Sequence, residues 1–179
     1  MRSVILLSGG IDSAVCLAMW SGEKICLGID YGQPHVRELD HAAAIAQHYE
    51  VPFETIKLPA MVKTNDVVFG CRNFAFIGIG AAYAAANDCD HVVVGSNASD
   101  WERFPDCRPE FTRTVAKCLE IASYPVRLAT PIIRMTKTEV VNLGRKLAVP
   151  LEQTRSCYAD TETPCGACLA CEVRERAGA

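Results

Sequence analysis

Long apolar runs, an excess of basic residues, internal repeats and low-complexity tracts are all missing from this chain of 179 residues. No apolar stretch approaches the roughly 20 residues that a bilayer span needs. The first residues also lack the basic start and cleavable apolar segment of a secretory leader. No membrane partner is expected, and a cytoplasmic location is. A formal net charge of −3 argues against broad, sequence-independent binding to nucleic acid, which depends on neutralising many phosphates. The length suits one compact domain with a substantial core and is short for two.

What the chain does have is cysteine, ten in all. Six are scattered (Cys16, Cys26, Cys71, Cys89, Cys107, Cys118), and four crowd the C-terminal end. That distribution suits reduced thiols plus a metal site better than a disulfide framework. The scattered six read as small buried hydrophobes. Cys71 and Cys107 stand apart, because each lies beside arginine in a polar loop where a thiolate could be stabilised. The four-cysteine cluster Cys157, Cys165, Cys168 and Cys171 has the form C-x7-C-x2-C-x2-C, with Gly166 in the knuckle and Pro164 just before it. Four soft thiolates at this spacing suit tetrahedral Zn²⁺ in a closed structural shell, with an iron–sulfur cluster as the rival.

Partly β-branched apolar runs recur at 4–7, 25–29, 53–58, 91–95 and 126–130, with helix-like stretches near 35–49, 74–87, 110–123 and 136–147. The alternation predicts an α/β fold, a parallel sheet with helices on both faces. Phe111, Val115, Leu119 and Ala122 share one helical face and should pack on the sheet. Thr136 and Glu139 fit a reciprocal capping box, with Val140, Val141 and Leu147 as the stripe behind it. Lys137 then falls in the first turn, where it opposes the helix dipole and calls for a nearby anion. Ligands of open parallel sheets bind beyond the carboxyl ends of the strands. The loops after Leu7, Ile29, Val94 and Ala129 should therefore build the site.

Between the first apolar run and a helix-forming stretch lies Ser8-Gly9-Gly10-Ile11-Asp12-Ser13. Strand, glycine turn and helix start together read as a phosphate cradle, in which glycines let backbone N–H groups approach an oxyanion at the positive end of the helix. Asp12 would repel a bare phosphate and makes sense facing a Mg²⁺ that arrives with the nucleotide. The plainer reading is a tight turn with Asp12 or Ser13 as helix cap. His35, His41, His48 and His91 read as surface or capping residues, and Trp101 as a stacking wall or loop packing.

These residues resemble the PP-loop ATP pyrophosphatases and, among them, the 7-cyano-7-deazaguanine synthase family. The carriers are residues 8–13, Asp30-Tyr31-Gly32-Gln33 with His35, Arg72-Asn73, Gly95, Asn97 and Asp100. Further on come Pro105-Asp106-Cys107-Arg108-Pro109-Glu110-Phe111, Thr130-Pro131, Lys137 with Glu139, and Ser156-Cys157-Tyr158 with the later cysteines. The resemblance implies a Rossmann-like sheet of the adenine nucleotide alpha hydrolase type over 1–150, and a zinc-binding segment, 151–179, packed on the same domain. It implies a nucleotide site of Leu7, Ser8, Gly9, Gly10, Ile11, Asp12, Ser13, Ala14, Val15, Cys16, Leu17, Asp30, Tyr31, Gly32 and Lys137, with Asp12, Ser13 and Lys137 catalytic. Arg72, Asn73, Asp106, Arg108 and Glu110 would surround the base.

The implied substrates are ATP with Mg²⁺, 7-carboxy-7-deazaguanine and ammonia. Adenylation of the carboxylate, amide formation and a second activation would give the nitrile, AMP and pyrophosphate, in a homodimer. The segment between Leu58 and Arg72 is shorter than the family's usual insertion, and Cys71 stands where glycine is usual. Other readings are a relative that stops at the amide or acylates another amine, a PP-loop tRNA-thiolating enzyme, and a nucleotide-binding module without turnover.

Overall fold

The computed structural model describes residues 1–60, 70–122 and 125–179. The short connector singled out between Leu58 and Arg72 thus lies largely outside the described residues. In chain order the elements are β1 (Arg2–Leu6), α1 (Ile11–Met19), β2 (Glu23–Asp30), α2 (Glu38–His48), β3 (Phe53–Lys57) and α3 (Arg72–Ala86). There follow β4 (His91–Val93), α4 (Pro109–Ile121), β5 (Arg127–Ala129), α5 (Lys137–Lys146) and α6 (Leu169–Arg176), with short 3-10 turns at 98–100, 105–107 and 151–153.

All strands pair in parallel in the order β3-β2-β1-β4-β5. Such a sheet is covered on both faces, so its strands read as continuous apolar runs while their side chains still alternate between layers. Val4 of β1 and Val92 of β4 join Ile77, Ala81 and Val115 on the side of α3 and α4. Their neighbours Ile5 and Val93 join Leu17, Ile45, Val140 and Val141 on the side of α1, α2 and α5. The chain reverses its winding between β1 and β4, which opens a crevice above these central strands at the carboxyl ends.

The five sequence-predicted strands and the four helix-like stretches are all present, with Val115 buried in the face of α4 and the Thr136–Glu139 capping box formed. Ala122 and Leu147 differ from expectation. Both sit at helix C-caps, where the chain leaves the packed face, and both are exposed. Helix α6 lies beyond the stretches that periodicity marked. Its Arg174 donates to the carbonyls of Leu151 and Thr154, fastening the C-terminal segment to the 3-10 turn before it.

Candidate active site at the switch point

The phosphate-loop residues fold as a tight cradle. Ser13 Oγ donates to the Gly10 carbonyl at 3.0 Å and accepts from the Ser8 N–H at 3.2 Å, with Ser8 Oγ 3.2 Å away. Gly10 is the N-cap of α1 and no side chain caps it, so neither Asp12 nor Ser13 plays that part. The free N–H groups and dipole of the first turn remain for an anion. Gly9 has φ +80°, and a Cβ there would overlap the backbone carbonyl of Glu38. Gly9→Ala is therefore expected to cost at least about 2–3 kcal/mol, from left-handed strain plus steric overlap. A chemical-denaturation midpoint equal to that of the parent would contradict this packing.

The loop after β4 closes against the cradle. A Cβ on Gly95 would lie 2.9 Å from the backbone of Asp12 and Ser13, so glycine is what lets the two loops touch. Asn97, fully buried, donates from Nδ2 to Asp100 at 2.7 Å and to Asp12 at 3.3 Å, drawing two carboxylates together. Burial first, then the Asp12 charge, pushes the Asp100 carboxyl above the ordinary range. Lys137 Nζ meets Asp12 Oδ2 at 2.6 Å, and its N–H is held by Ser99 Oγ at 2.9 Å. The anion that its helix position calls for is thus Asp12. Asp12 Oδ1 is buried without a partner among the described residues, which fits a cation accompanying the nucleotide.

One cavity of about 570 Å³ runs from this cradle to the C-terminal segment. Of the sequence-predicted nucleotide residues, Leu7, Ser8, Gly10, Ile11, Asp12, Ser13, Tyr31 and Lys137 are on its wall. Gly9 is off the wall, packed against the backbone of Glu38 and Ala42 in α2. Ala14, Val15, Cys16 and Leu17 point into the core at 0% exposure, because one face of α1 alone can look toward the cavity. Asp30 instead accepts from the Gly32 N–H and faces Lys57, and Gly32 packs on Ala60.

Of the predicted base-binding residues, Arg72 and Asn73 reach the wall. Asp106, Arg108 and Glu110 stand off it, for physical reasons. Asp106 Oδ2 accepts from the Asn73 N–H at the start of α3, Arg108 Nε donates to the Trp101 carbonyl, and Glu110 is exposed in the first turn of α4. Trp101 serves loop packing rather than the cavity wall.

Cys107 does reach the cavity, but it is buried, accepts from Asn73 Nδ2, and burial followed by the Asp100 charge pushes its thiol up to about 12. The polar loop stabilises no thiolate there. Residues that sequence reasoning passed over include Ser99, Glu38, Phe76, Arg103 and Arg155, all on the wall. His35, expected as a surface or capping residue, is 4% exposed, and burial followed by the Arg72 charge lowers its pKa to about 4, so it is neutral.

The four C-terminal cysteines converge. Their sulfurs lie within 4.8 Å of one another, and Cys157 Sγ accepts N–H bonds from Ala159 and Cys165, the pattern that orients thiolates toward a metal. Gly166 takes φ +70° in the knuckle. Backbone donation from Ala167, then the Cys157 thiol and the Cys168 backbone, lowers the Cys165 thiol to about 6. Arg155 ties this knuckle to the phosphate cradle. Its N–H donates to the Gly9 carbonyl at 2.8 Å, while its guanidinium gathers the carbonyls of Ala159, Thr161 and Glu162.

The family model described as queuosine biosynthesis protein QueC matches residues 2–68 and 62–179. The chain belongs to the QueC family. Among curated relatives, the 7-cyano-7-deazaguanine synthases of Prochlorococcus marinus strain AS9601 and Trichodesmium erythraeum strain IMS101 are each 35% identical over 97% of this chain, and the chain spans 92% and 94% of them. The first alignment runs over 206 residues against a chain of 179, and the two pieces of the family match overlap at 62–68, inside the short connector.

Among solved structures, the U34-tRNA thiolase NcsA of Methanococcus maripaludis with its [4Fe-4S] cluster superposes with TM-score 0.59 at 17% identity. It matches 98% of this chain and 65% of its own. The NH3-dependent NAD synthetase of Campylobacter jejuni has TM-score 0.58 at 18% identity, over 85% of this chain and 66% of its own. This chain spans about two thirds of each solved protein. These likenesses establish the Rossmann-like PP-loop fold and nothing finer.

Proposed function

We propose that this chain is an ATP-dependent carbon–nitrogen ligase that converts 7-carboxy-7-deazaguanine and ammonia to 7-cyano-7-deazaguanine, releasing AMP and pyrophosphate. The observation that carries the reading is the cavity that joins an uncapped phosphate cradle to an aromatic, arginine-lined recess. Its volume of about 570 Å³ is that of a small-molecule site, and it sits in a chain whose near-full-length relatives carry that synthase name.

The residues present account for the chemistry. A carboxylate is inert toward ammonia until it carries a good leaving group, and attack of its oxygen on the α-phosphorus of ATP attaches AMP as the bond to the bridging oxygen breaks and pyrophosphate leaves. The first-turn N–H groups of α1, with Ser8 and Ser13, orient the phosphates. Lys137 lies where it can turn from Asp12 to the charge developing on the α-phosphate, and catalysis of this kind is positioning and neutralisation. Asp12 and Asp100 are the carboxylates that would hold Mg²⁺, which supplies charge neutralisation when bound. Ammonia then displaces AMP to give the amide, and a second adenylation on the amide oxygen followed by loss of AMP and a proton leaves the nitrile.

The four cysteines would hold Zn²⁺ in a closed shell, which braces residues 151–179 against the first 150 and takes no part in the reaction. Ten free thiols fit a reducing cytoplasm, and no helix among the described residues is long and apolar enough to cross a membrane. Beyond Arg72 and Asn73 in its first turn, helix α3 is almost wholly apolar, with Phe74, Gly78, Ala82 and Ala86 exposed along one stripe. A helix of that kind is normally covered, which supports a homodimer.

AMP release from α-labelled ATP is the direct test. It is expected to need both 7-carboxy-7-deazaguanine and ammonium. AMP formed equally well without the base would overturn the reading.

A further inference from the structure

Beyond the arginine, a deazaguanine needs an acceptor for its own edge, where N1–H and the 2-amino group present adjacent donors. The acids expected for this task, Asp106 and Glu110, stand off the cavity. Among the described residues the cavity wall carries Asp12, Asp100, Glu102 and Glu38 as acids. Asp12 and Asp100 are engaged by Lys137 and Asn97 at the cradle, and Glu102 is exposed.

Glu38, in the first turn of α2, is different. Its Oε1 accepts from Gln33 Nε2 at 3.0 Å and lies 3.6 Å from His35 Nε2, while Oε2 has no partner among the described residues. Gln33 is itself fixed, accepting from the Tyr31 N–H at 2.8 Å and donating to the Ile29 carbonyl. The carboxylate is therefore held in one orientation, with one oxygen spent and one open.

Its surroundings are those of a flat, donor-rich ligand. Tyr31 and Phe76 lie with ring centroids 5.1 Å apart, and His35 lies 5.9 Å from Tyr158, giving aromatic surface on more than one side. Arg72 reaches into the same cluster and donates to Tyr31 Oη at 3.5 Å. His35 Nδ1 is buried without a partner, and the imidazole is neutral, so it does not neutralise the acid. Burial raises the Glu38 carboxyl to about 7, despite the Gln33 hydrogen bond and the Arg72 charge. Paired N–H donors from a ligand would satisfy such an anion.

We propose that Glu38 is the specificity-determining residue for the base, its carboxylate accepting N1–H and the 2-amino N–H of the deazapurine while Arg72 faces the carboxylate at C7. The assignment rests on the function proposed above. It also predicts discrimination against adenine-type rings, whose N1 lone pair would face the anion.

Equilibrium binding at pH 8 to the metal-loaded full chain, in the presence of α,β-methylene ATP, tests it. The probes are 7-carboxy-7-deazaguanine and its analogue without the 2-amino group. The unaltered protein is expected to bind the analogue roughly 10- to 100-fold more weakly, the effect of losing one charge-assisted hydrogen bond. Glu38→Gln is expected to bind the parent base that much more weakly and to lose most of the discrimination. Equal binding of the two bases by the unaltered protein overturns the assignment without any variant, so a misfolded variant cannot shield it. A folded Glu38→Gln protein that keeps the full ratio overturns it as well. If the unaltered protein binds neither base, the functional reading falls, and the assignment with it.

Discussion

Lys137→Ala is expected to lower ATP-to-AMP turnover at least about a thousandfold while leaving the far-ultraviolet circular dichroism unchanged. The size follows from the role. A fixed cation aimed at charge that develops on a transferring phosphoryl group is worth about 10³ or more. The ammonium is fixed from both ends, by Asp12 at 2.6 Å and by a helix start whose N–H bonds Ser99. Asp12→Ala should fall as far, because it removes the carboxylate that anchors the lysine and that would face the nucleotide's cation. The pair is only partly exposed, at 15% and 20% for the two side chains, so either change should also lower stability, by about 1–3 kcal/mol. Turnover that survives both substitutions would show that the cradle is not where ATP reacts.

Cys171→Ser, or exhaustive chelation, is expected to have the second largest effect, and on two properties at once. Cys171 is buried among the four converging thiols, and a structural zinc of this kind contributes folding energy on the order of 10 kcal/mol in small domains. Losing it should release residues 151–179 and lower the melting temperature by about 10 °C or more. ATP affinity should drop with it, since Arg155 holds the Gly9 carbonyl from that segment. Elemental analysis of gently purified protein should give about one zinc per chain. Iron, or no metal with undiminished stability, would contradict the zinc assignment, and unchanged ATP affinity after metal loss would contradict the coupling.

Much of this was legible in the sequence because chemistry and periodicity agreed. Val4-Ile5-Leu6-Leu7 is apolar at every position, the mark of a strand covered on both faces, and the strand leads straight into the glycine turn. The helix signal at Thr136 and Glu139 left Lys137 in an unfavourable place, and that misfit alone pointed to the anion found at Asp12. The cysteine spacing needed no tertiary information beyond one turn at Gly166.

The rest depended on which polar groups the fold consumes. Asp106 and Arg108 look like ligands in a polar loop, but the start of α3 and the Trp101 carbonyl take their hydrogen bonds. Residues 14–17 continue the phosphate motif in sequence, yet the turn of α1 sends them into the core. Glu38 carries no distinguishing mark in the sequence, where an acid in the first turn of a helix is ordinary. Its burial beside His35 and Gln33 appears only once the chain after β2 folds back over the cradle.

Mass spectrometry of the products formed from purified protein, ATP, Mg²⁺, ammonium and 7-carboxy-7-deazaguanine decides whether this chain makes the nitrile. The expected product is 7-cyano-7-deazaguanine, with AMP and pyrophosphate accumulating at two per nitrile. An amide or adenylate that accumulates without conversion to nitrile, or a reaction mixture with no AMP, would contradict it.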